Sequence, residues 1–291
     1  MGERLVILAG GISSRMKRSA ESSTLDAQHQ YEADHLPKSM ISIGSSKRPF
    51  LDYLLYNARS AGYTDIVIVI GRNDDSIRAY YGPLEKKNSF HGLSISYAVQ
   101  SIPEGRTKPL GTADALLQGL LSVPEWSGKY FTVCNSDNLY SVAALSALLN
   151  VSENSSMSDY DSEALSIASN RVNQFAVTKK DAEGYLLSII EKPSESEMKE
   201  CRNDAGKLGV SMNMFRLPYD KAVSVLREVP LHPVRLEKEL PAAVIMMIER
   251  YQEKVRAVEC AEPVPDLTSK DDIGPVSEML LRSFPNDLWN V

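Results

Sequence analysis

With 291 residues, 43% of them hydrophobic, the chain is long enough to bury a large core without covalent staples. Its three cysteines, Cys134, Cys201 and Cys260, have no Cys-x-x-Cys spacing, which argues against a disulfide framework or a cysteine zinc site and fits a reducing cytoplasm. A net charge of −6 argues against a general nucleic-acid surface, and no apolar run reaches membrane-spanning length.

Leu5 to Leu8 is an apolar run too short for a helix, and it meets Gly10 and Gly11 and then a polar turn ending in Arg15. This is the pattern of a buried strand opening onto a phosphate loop: glycines let backbone N–H groups approach an anion, and Arg15 supplies a permanently charged fork. On the glycines alone, a tight turn after a strand explains the pattern equally well. Residues 17–35 are polar and aperiodic and read as a disordered insertion or a lid that closes over nucleotide. Lys38 follows the fixed Pro37 and is placed to reach back to the glycine loop. Pro49 opens a helix that ends at Gly62, and Ile66 to Ile70 is a strand apolar on both faces, the mark of a parallel sheet interior.

A short helix at 75–81, an alternating strand at 93–99, a helix at 113–121 and a buried strand at 130–134 continue the rhythm. The expected fold is α/β, a doubly wound, mixed, mostly parallel sheet flanked by helices, with a smaller antiparallel sheet on the substrate side. After a helix at 142–149, residues 150–163 read as a surface connection. Strands are expected at 164–168, 174–178 and 185–190, the last two joined by a turn at 181–184, then at 208–215 and 255–258. Helices are expected at 219–229, 240–251 and 271–284, the last opening on a capping box from Ser269 to Asp272. One domain over 1–291 is expected, with the phosphate loop and nucleotide layer in a half at 1–150 and a substrate layer in a half at 151–291.

Asp137 directly follows the strand at 130–134, which sets a carboxylate at the strand edge where Gly10 and Gly11 also lie and where Mg²⁺ can be held against phosphate oxygens. Asp266 is a second candidate, with helix capping as the competing explanation. Gly111 allows close approach to the backbone, Thr112 is placed as a helix N-cap, and Gln100 has an amide suited to a base edge; a plain loop-to-helix junction accounts for the same residues. Glu191-Lys-Pro193 ends a strand. Asn213 sits in an apolar run, either as a satisfied core amide or as a ligand of sugar hydroxyls.

Taken in order, Leu8-Ala-Gly-Gly-Ile-Ser-Ser-Arg15, Pro37-Lys38, Gly111-Thr-Ala-Asp-Ala115, Ser136-Asp-Asn138, Glu191-Lys-Pro193, Asn213 and Asp266 resemble the sugar-1-phosphate nucleotidyltransferases over nearly the whole chain. The resemblance implies nucleotide binding by Leu8, Ala9, Gly10, Gly11, Gln100, Gly111 and Thr112. It implies charge stabilisation by Arg15, Lys38 and Lys192, sugar-phosphate binding by Glu191, Lys192 and Asn213, and a Mg²⁺ cofactor on Asp137 and Asp266. Arg106-Thr-Lys-Pro-Leu-Gly-Thr, Val210-Ser-Met-Asn-Met214, Leu236-Glu-Lys-Glu-Leu-Pro241 and Phe284-Pro-Asn-Asp-Leu-Trp289 are similar to a less characterised bacterial branch.

The activity implied is Mg²⁺-dependent transfer of a nucleotidyl group from an NTP to a sugar 1-phosphate, releasing pyrophosphate. Its partners are those two small molecules, with no nucleic acid and no membrane, and with room for a homo-oligomer. Ser-Ser-Arg-Met16 also resembles the loop of the molybdopterin guanylyl- and cytidylyltransferases, an alternative in which Lys17 replaces Lys38. Ile12 and Ser136 stand where the family loops often have glycine, which prompts a third reading as a non-catalytic nucleotide-sensing homologue.

Overall fold

The computed structural model describes residues 2–11, 16–17, 25–44, 47–72, 74–152, 155–165, 174–284 and 288–289. The chain divides into two compact units: residues 1–109, 135–142 and 264–291 form the first, and 110–134 and 143–263 the second. Each contains strands with helices beside them.

In the first unit, β1 (Glu3–Leu8), β4 (Tyr63–Gly71) and β6 (Leu93–Gln100) run parallel in the order β1-β4-β6, and β5 (Asn88–Phe90) pairs antiparallel with β6 at the edge. Leu5 to Ile7 and Ile66 to Ile70 are fully buried, each side chain contributing roughly 1.5–3 kcal/mol of burial. That is why β4 reads as an unbroken apolar run rather than an alternating one. Helices α2 (Phe50–Ser60) and α3 (Asp75–Tyr81) follow the sequence expectation closely. A two-residue hairpin, β2 (Ser42–Ile43) with β3 (Arg48–Pro49), precedes α2.

Residues 27–35 depart from the expected aperiodic segment. Ala27–His35 is a helix, α1, capped by the Asp26 side chain, which accepts from the His29 N–H at 2.8 Å. Polar contacts anchor it where an apolar stripe is lacking: buried Glu32 accepts from the Ser42 N–H at 2.8 Å and from the Ser42 hydroxyl at 3.0 Å. The rest of the expected lid, 18–24, lies outside the described residues, as do Ile12 and Arg15.

At the far end of the first unit, α9 (Ile273–Ser283) follows a short 3-10 turn at Lys270–Asp272. Leu288 and Trp289 then return to the core. The Trp289 ring stacks on His91 with centroids 4.4 Å apart, beside buried Asp52, which accepts from the Tyr81 hydroxyl at 2.8 Å.

The second unit is mainly antiparallel. Strand β11 (Gly209–Pro218) pairs with β7 (Tyr130–Asn135), β8 (Ser156–Asp161) and β9 (Ala176–Lys180). β9 pairs with β10 (Leu186–Ile190), and β12 (Arg256–Cys260) runs parallel to β8. The β9–β10 hairpin turns at 181–184 as expected. Helices α4 (Thr112–Leu121), α5 (Val142–Leu149), α7 (Tyr219–Glu228) and α8 (Leu240–Tyr251) also match, α5 taking its first residue from the first unit.

Two expectations fail here. Residues 156–161 are not a surface connection but β8, a strand whose Ser156, Ser158 and Asp159 are buried. Small and paired polar groups fill it: the Ser156 hydroxyl donates to the Leu148 carbonyl at 3.2 Å, and Asp159 is held by Thr178 and Lys180. The strand expected at 164–168 is absent at 164–165, which form a turn; the remainder lies outside the described residues. A helix not foreseen, α6 (Glu195–Glu200), starts on a capping box in which Ser194 and Glu197 bond reciprocally.

Candidate active site

Parallel strands put their carboxyl ends along one edge, and in the first unit that edge carries Leu8, Gly71 and Gln100. The Ala9 N–H donates to Val69 O at 2.8 Å, so β1 keeps its pairing up to the glycines. A Cβ on Gly10 would lie 3.1 Å from the Gln100 Oε1, so the glycine lets the loop pass tightly over that amide. Gly11 has open space around it.

Backbone bonds bring the acidic residues to this edge. The Ser136 N–H donates to the Leu8 carbonyl at 3.2 Å, which sets the next residue, Asp137, beside the glycine turn. Asn138 and Asp266 form an isolated antiparallel bridge, flanked by bonds from the Leu139 N–H to Pro265 O and from the Leu267 N–H to Asp137 O, each 2.9 Å. Two carboxylates separated by more than a hundred residues therefore meet at one strand end. Lys38 closes the group, its Nζ 3.0 Å from the Asp137 Oδ2.

Burial and then the neighbouring Asp137 charge push the Asp266 carboxyl up to about 6, against the pull of the Thr268 hydroxyl, which donates to it at 2.7 Å. Burial is the larger cause; the smaller contribution from Asp137 is that of a like charge close by, and two carboxylates brought together suit a cation. The competing capping role belongs to Asp272, whose Oδ2 accepts from the Thr268 N–H, the Ser269 N–H and the Ser269 hydroxyl at 3.0, 2.6 and 2.9 Å. No cluster of three or more His, Cys, Asp or Glu suited to a metal occurs among the described residues. A two-carboxylate pair fits magnesium, which completes its shell with phosphate and water, better than zinc.

The other candidates lie in the second unit. Gly111, not Thr112, is the N-cap of α4, with φ +108°. The close approach it permits is made by the chain itself: a Cβ would lie 2.5 Å from the Lys238 carbonyl oxygen. The Ala113 N–H donates to that oxygen at 3.0 Å, and the Thr112 hydroxyl accepts from the Leu240 N–H at 3.0 Å. At these two residues the structural reading, a junction packed against 238–240, describes what the fold shows.

Lys192 and Asn213 share an unusual trait, backbone in the left-handed region at φ +49° and +58°. Asn213 sits where the β11 register slips between Ser211 and Phe215, and the bulge takes its side chain out of the regular alternation. Lys192 is exposed ahead of buried Pro193. Sequence reasoning missed Arg235, which bridges Glu191 at 3.6 Å and Glu239 at 2.6 Å and so adds a cation to the Glu191-Lys192 segment. Burial raises the Glu239 carboxyl while Arg235 pulls it down. A cavity of about 160 Å³ lined by Asp159, Asp161, Glu259, Lys180 and Lys207 is a separate feature, and two of its three carboxylates are matched, Asp159 by Lys180 and Asp161 by Lys207.

The model of the Nucleotidyl transferase family matches residues 33–250, three quarters of the sequence. The chain belongs to the nucleotidyl transferase family. Among curated relatives, the D-glycero-alpha-D-manno-heptose 1-phosphate guanylyltransferase of Aneurinibacillus thermoaerophilus is 28% identical over 137 residues, 47% of either chain. The bifunctional protein GlmU of Symbiobacterium thermophilum is 29% identical over 133 residues, 46% of this chain and 21% of its own. The chain thus spans less than half the length of these relatives. Among solved structures, the UTP-bound UGPase from Acinetobacter baumannii superposes with a TM-score of 0.71 at 20% identity, covering 98% of this chain and 95% of that one. A UDP-glucose pyrophosphorylase complexed with UDP-glucose gives 0.69 at 18% identity, covering 97% and 100%. These likenesses show that this nucleotidyl transferase has the UGPase-like mixed α/β fold.

Proposed function

We propose that this nucleotidyl transferase moves a nucleotidyl group from an NTP to a sugar 1-phosphate and releases pyrophosphate, with Mg²⁺ as cofactor. The meeting of Asp137, Asp266 and Lys38 beside the Gly10-Gly11 turn carries the reading, because it supplies both signs of charge needed to hold a metal–triphosphate at one strand edge. Magnesium bound by Asp137 and Asp266 would neutralise phosphate charge and hold the triphosphate in line for attack. The glycine turn admits the triphosphate, Arg15 and Lys38 offset its charge, and Gln100, with Leu8 and Ala9 behind it, meets the base. Gly111 and Thr112 contribute to nucleotide binding from the junction they pack on 238–240. Lys192, with Arg235 near it, holds the phosphate of the sugar, and Glu191 and Asn213 take its hydroxyls. The attacking oxygen is already an anion, so the reaction needs orientation and charge more than a general base.

The relatives named as a sugar 1-phosphate guanylyltransferase and as UDP-glucose pyrophosphorylases support this class of substrate. No helix of the described residues is long and apolar enough to cross a membrane, and Cys134, Cys201 and Cys260 are buried thiols, which fits work on small molecules in the cytoplasm. Pyrophosphate release from purified protein, across four NTPs and a panel of hexose and heptose 1-phosphates with and without Mg²⁺, tests the reading. Release that needs one NTP, one sugar phosphate and the metal supports it. Release with no member of the panel would remove it.

A further inference from the structure

Lys270 is a lysine with only 3% of its side chain exposed, and its Nζ donates to the Asp34 Oδ1 at 2.7 Å. Lysine is almost never buried unless paired, and although Asp34 keeps 35% of its side chain exposed, taking the Lys270 ammonium out of water offsets much of the attraction between the two, so the pair is a weak source of stability. The pair therefore calls for a role other than stability, and its position in the chain supplies one. Asp34 stands four residues before Lys38, on a helix locked to the Lys38 segment by Glu32 and Ser42. The other Asp34 oxygen accepts from Gln30 at 2.9 Å, which fixes the carboxylate on the helix. Lys270 stands four residues after Asp266, in the turn where Asp272 gathers the Thr268 and Ser269 N–H groups and the Thr268 hydroxyl donates to Asp266. With the Lys38–Asp137 contact and the bridge beside Asp266, these bonds form a closed circuit through both segments.

We propose that Asp34 and Lys270 are a positioning pair that holds the Asp266 carboxylate in register with Asp137 by tying its turn to the helix leading into Lys38. The proposal rests on Asp137 and Asp266 being the metal pair. Neither Asp34 nor Lys270 touches substrate; they act through Asp266. An outer partner of this kind tunes metal affinity by holding a ligand's direction.

The test is Mn²⁺ binding to the whole chain without nucleotide, followed by electron paramagnetic resonance, on the wild type, Lys270→Met, Lys270→Arg and Asp137→Ala. Methionine fills much of the lysine volume and leaves no buried charge, so the fold is expected to hold. Lys270→Met should weaken Mn²⁺ binding about tenfold, while Lys270→Arg, which keeps the charge, should stay within about threefold of the wild type. A purely structural pair would lower the melting temperature and leave the Mn²⁺ affinity of the folded protein unchanged, and that result overturns the proposal. Wild-type affinity in Asp137→Ala would instead remove the metal pair itself and the proposal with it. If Lys270→Met does not fold, Asp34→Asn answers the same question: weakened Mn²⁺ binding supports the pair, and wild-type affinity overturns it.

Discussion

The candidate residues of the two units are built in opposite ways. In the first unit, Leu8 and Gln100 end strands, Asp137 lies in the bend just after β7 and Asp266 in an isolated bridge, and the specialisation of the group lies in charge: two carboxylates brought together and a lysine set against one of them. In the second, Lys192 and Asn213 occupy left-handed backbone where glycine is the usual occupant, and Asn213 sits on a bulge. Holding a triphosphate and a metal needs charges at fixed points, which strand ends supply without distortion. Under the proposed function, reading one sugar among many calls for side chains aimed out of the regular alternation, and left-handed backbone is a way of aiming them. Strain on this side and charge on the other is a division that substitutions can break.

The largest effect is expected at the charged end. Asp137→Ala should lower kcat about 10³-fold or more while the melting temperature changes little, because its side chain is 30% exposed and the backbone bond from Leu267 to its carbonyl remains. Turnover at saturating Mg²⁺ together with thermal denaturation checks this; near-normal turnover would detach charge from function. Next comes Lys192→Ala, expected to raise the KM for the sugar 1-phosphate about 10- to 100-fold and that for the NTP less than threefold. An equal rise in both would mean that the strained segment serves the whole reaction rather than the sugar.

Asp266→Asn sharpens the same contrast through pH. The Asp266 carboxyl stands at about 6 in the folded protein, above its ordinary value of 3.8, so the ionised form is disfavoured by folding. In the metal-free wild type this destabilisation is full above pH 6 and disappears as pH falls through 6 towards 4. The asparagine variant should therefore be more stable than the wild type by roughly 3 kcal/mol at pH 7, and the difference should nearly vanish by pH 4. Denaturation of metal-free protein at the two pH values measures it. A variant less stable at pH 7 would show that this carboxylate serves packing instead.

How much of this was legible in the sequence follows the same division. The parallel strands and their glycine turn were readable because buried aliphatic runs and adjacent glycines have few other uses, as at Ile66 to Ile70. Strand β8 was not, since Ser156, Ser158 and Asp159 look like loop residues until Thr178 and Lys180 are seen to satisfy the carboxylate from another strand. Helix α1 escaped for a related reason: it is held by Glu32 and Asp34 bonding to distant Ser42 and Lys270, with no apolar period to announce it. The meeting of Asp137 with Asp266 was expected from resemblance, whereas the left-handed backbone at Lys192 and Asn213 leaves no trace in residue type beyond the tolerance of asparagine for that region. Gly111 was seen as a place of close approach, but only the structure shows that Lys238 makes it.

The smallest effect, and the sharpest separation of strain from chemistry, is expected at Asn213. Its φ of +58° is reached by glycine at no steric cost and by asparagine at little. Asn213→Gly should thus keep the bulge and leave the melting temperature within a few degrees of the wild type, while removing the amide. If the bulge exists to present that amide to sugar hydroxyls, the KM for the sugar 1-phosphate should rise about three- to tenfold with kcat nearly unchanged, the loss of one or two neutral hydrogen bonds. Asn213→Val should fold poorly, because a β-branched side chain at positive φ is strongly disfavoured. Kinetics unchanged in Asn213→Gly, with stability lost in Asn213→Val, would assign the position to backbone shape alone and leave sugar recognition to Glu191 and Lys192.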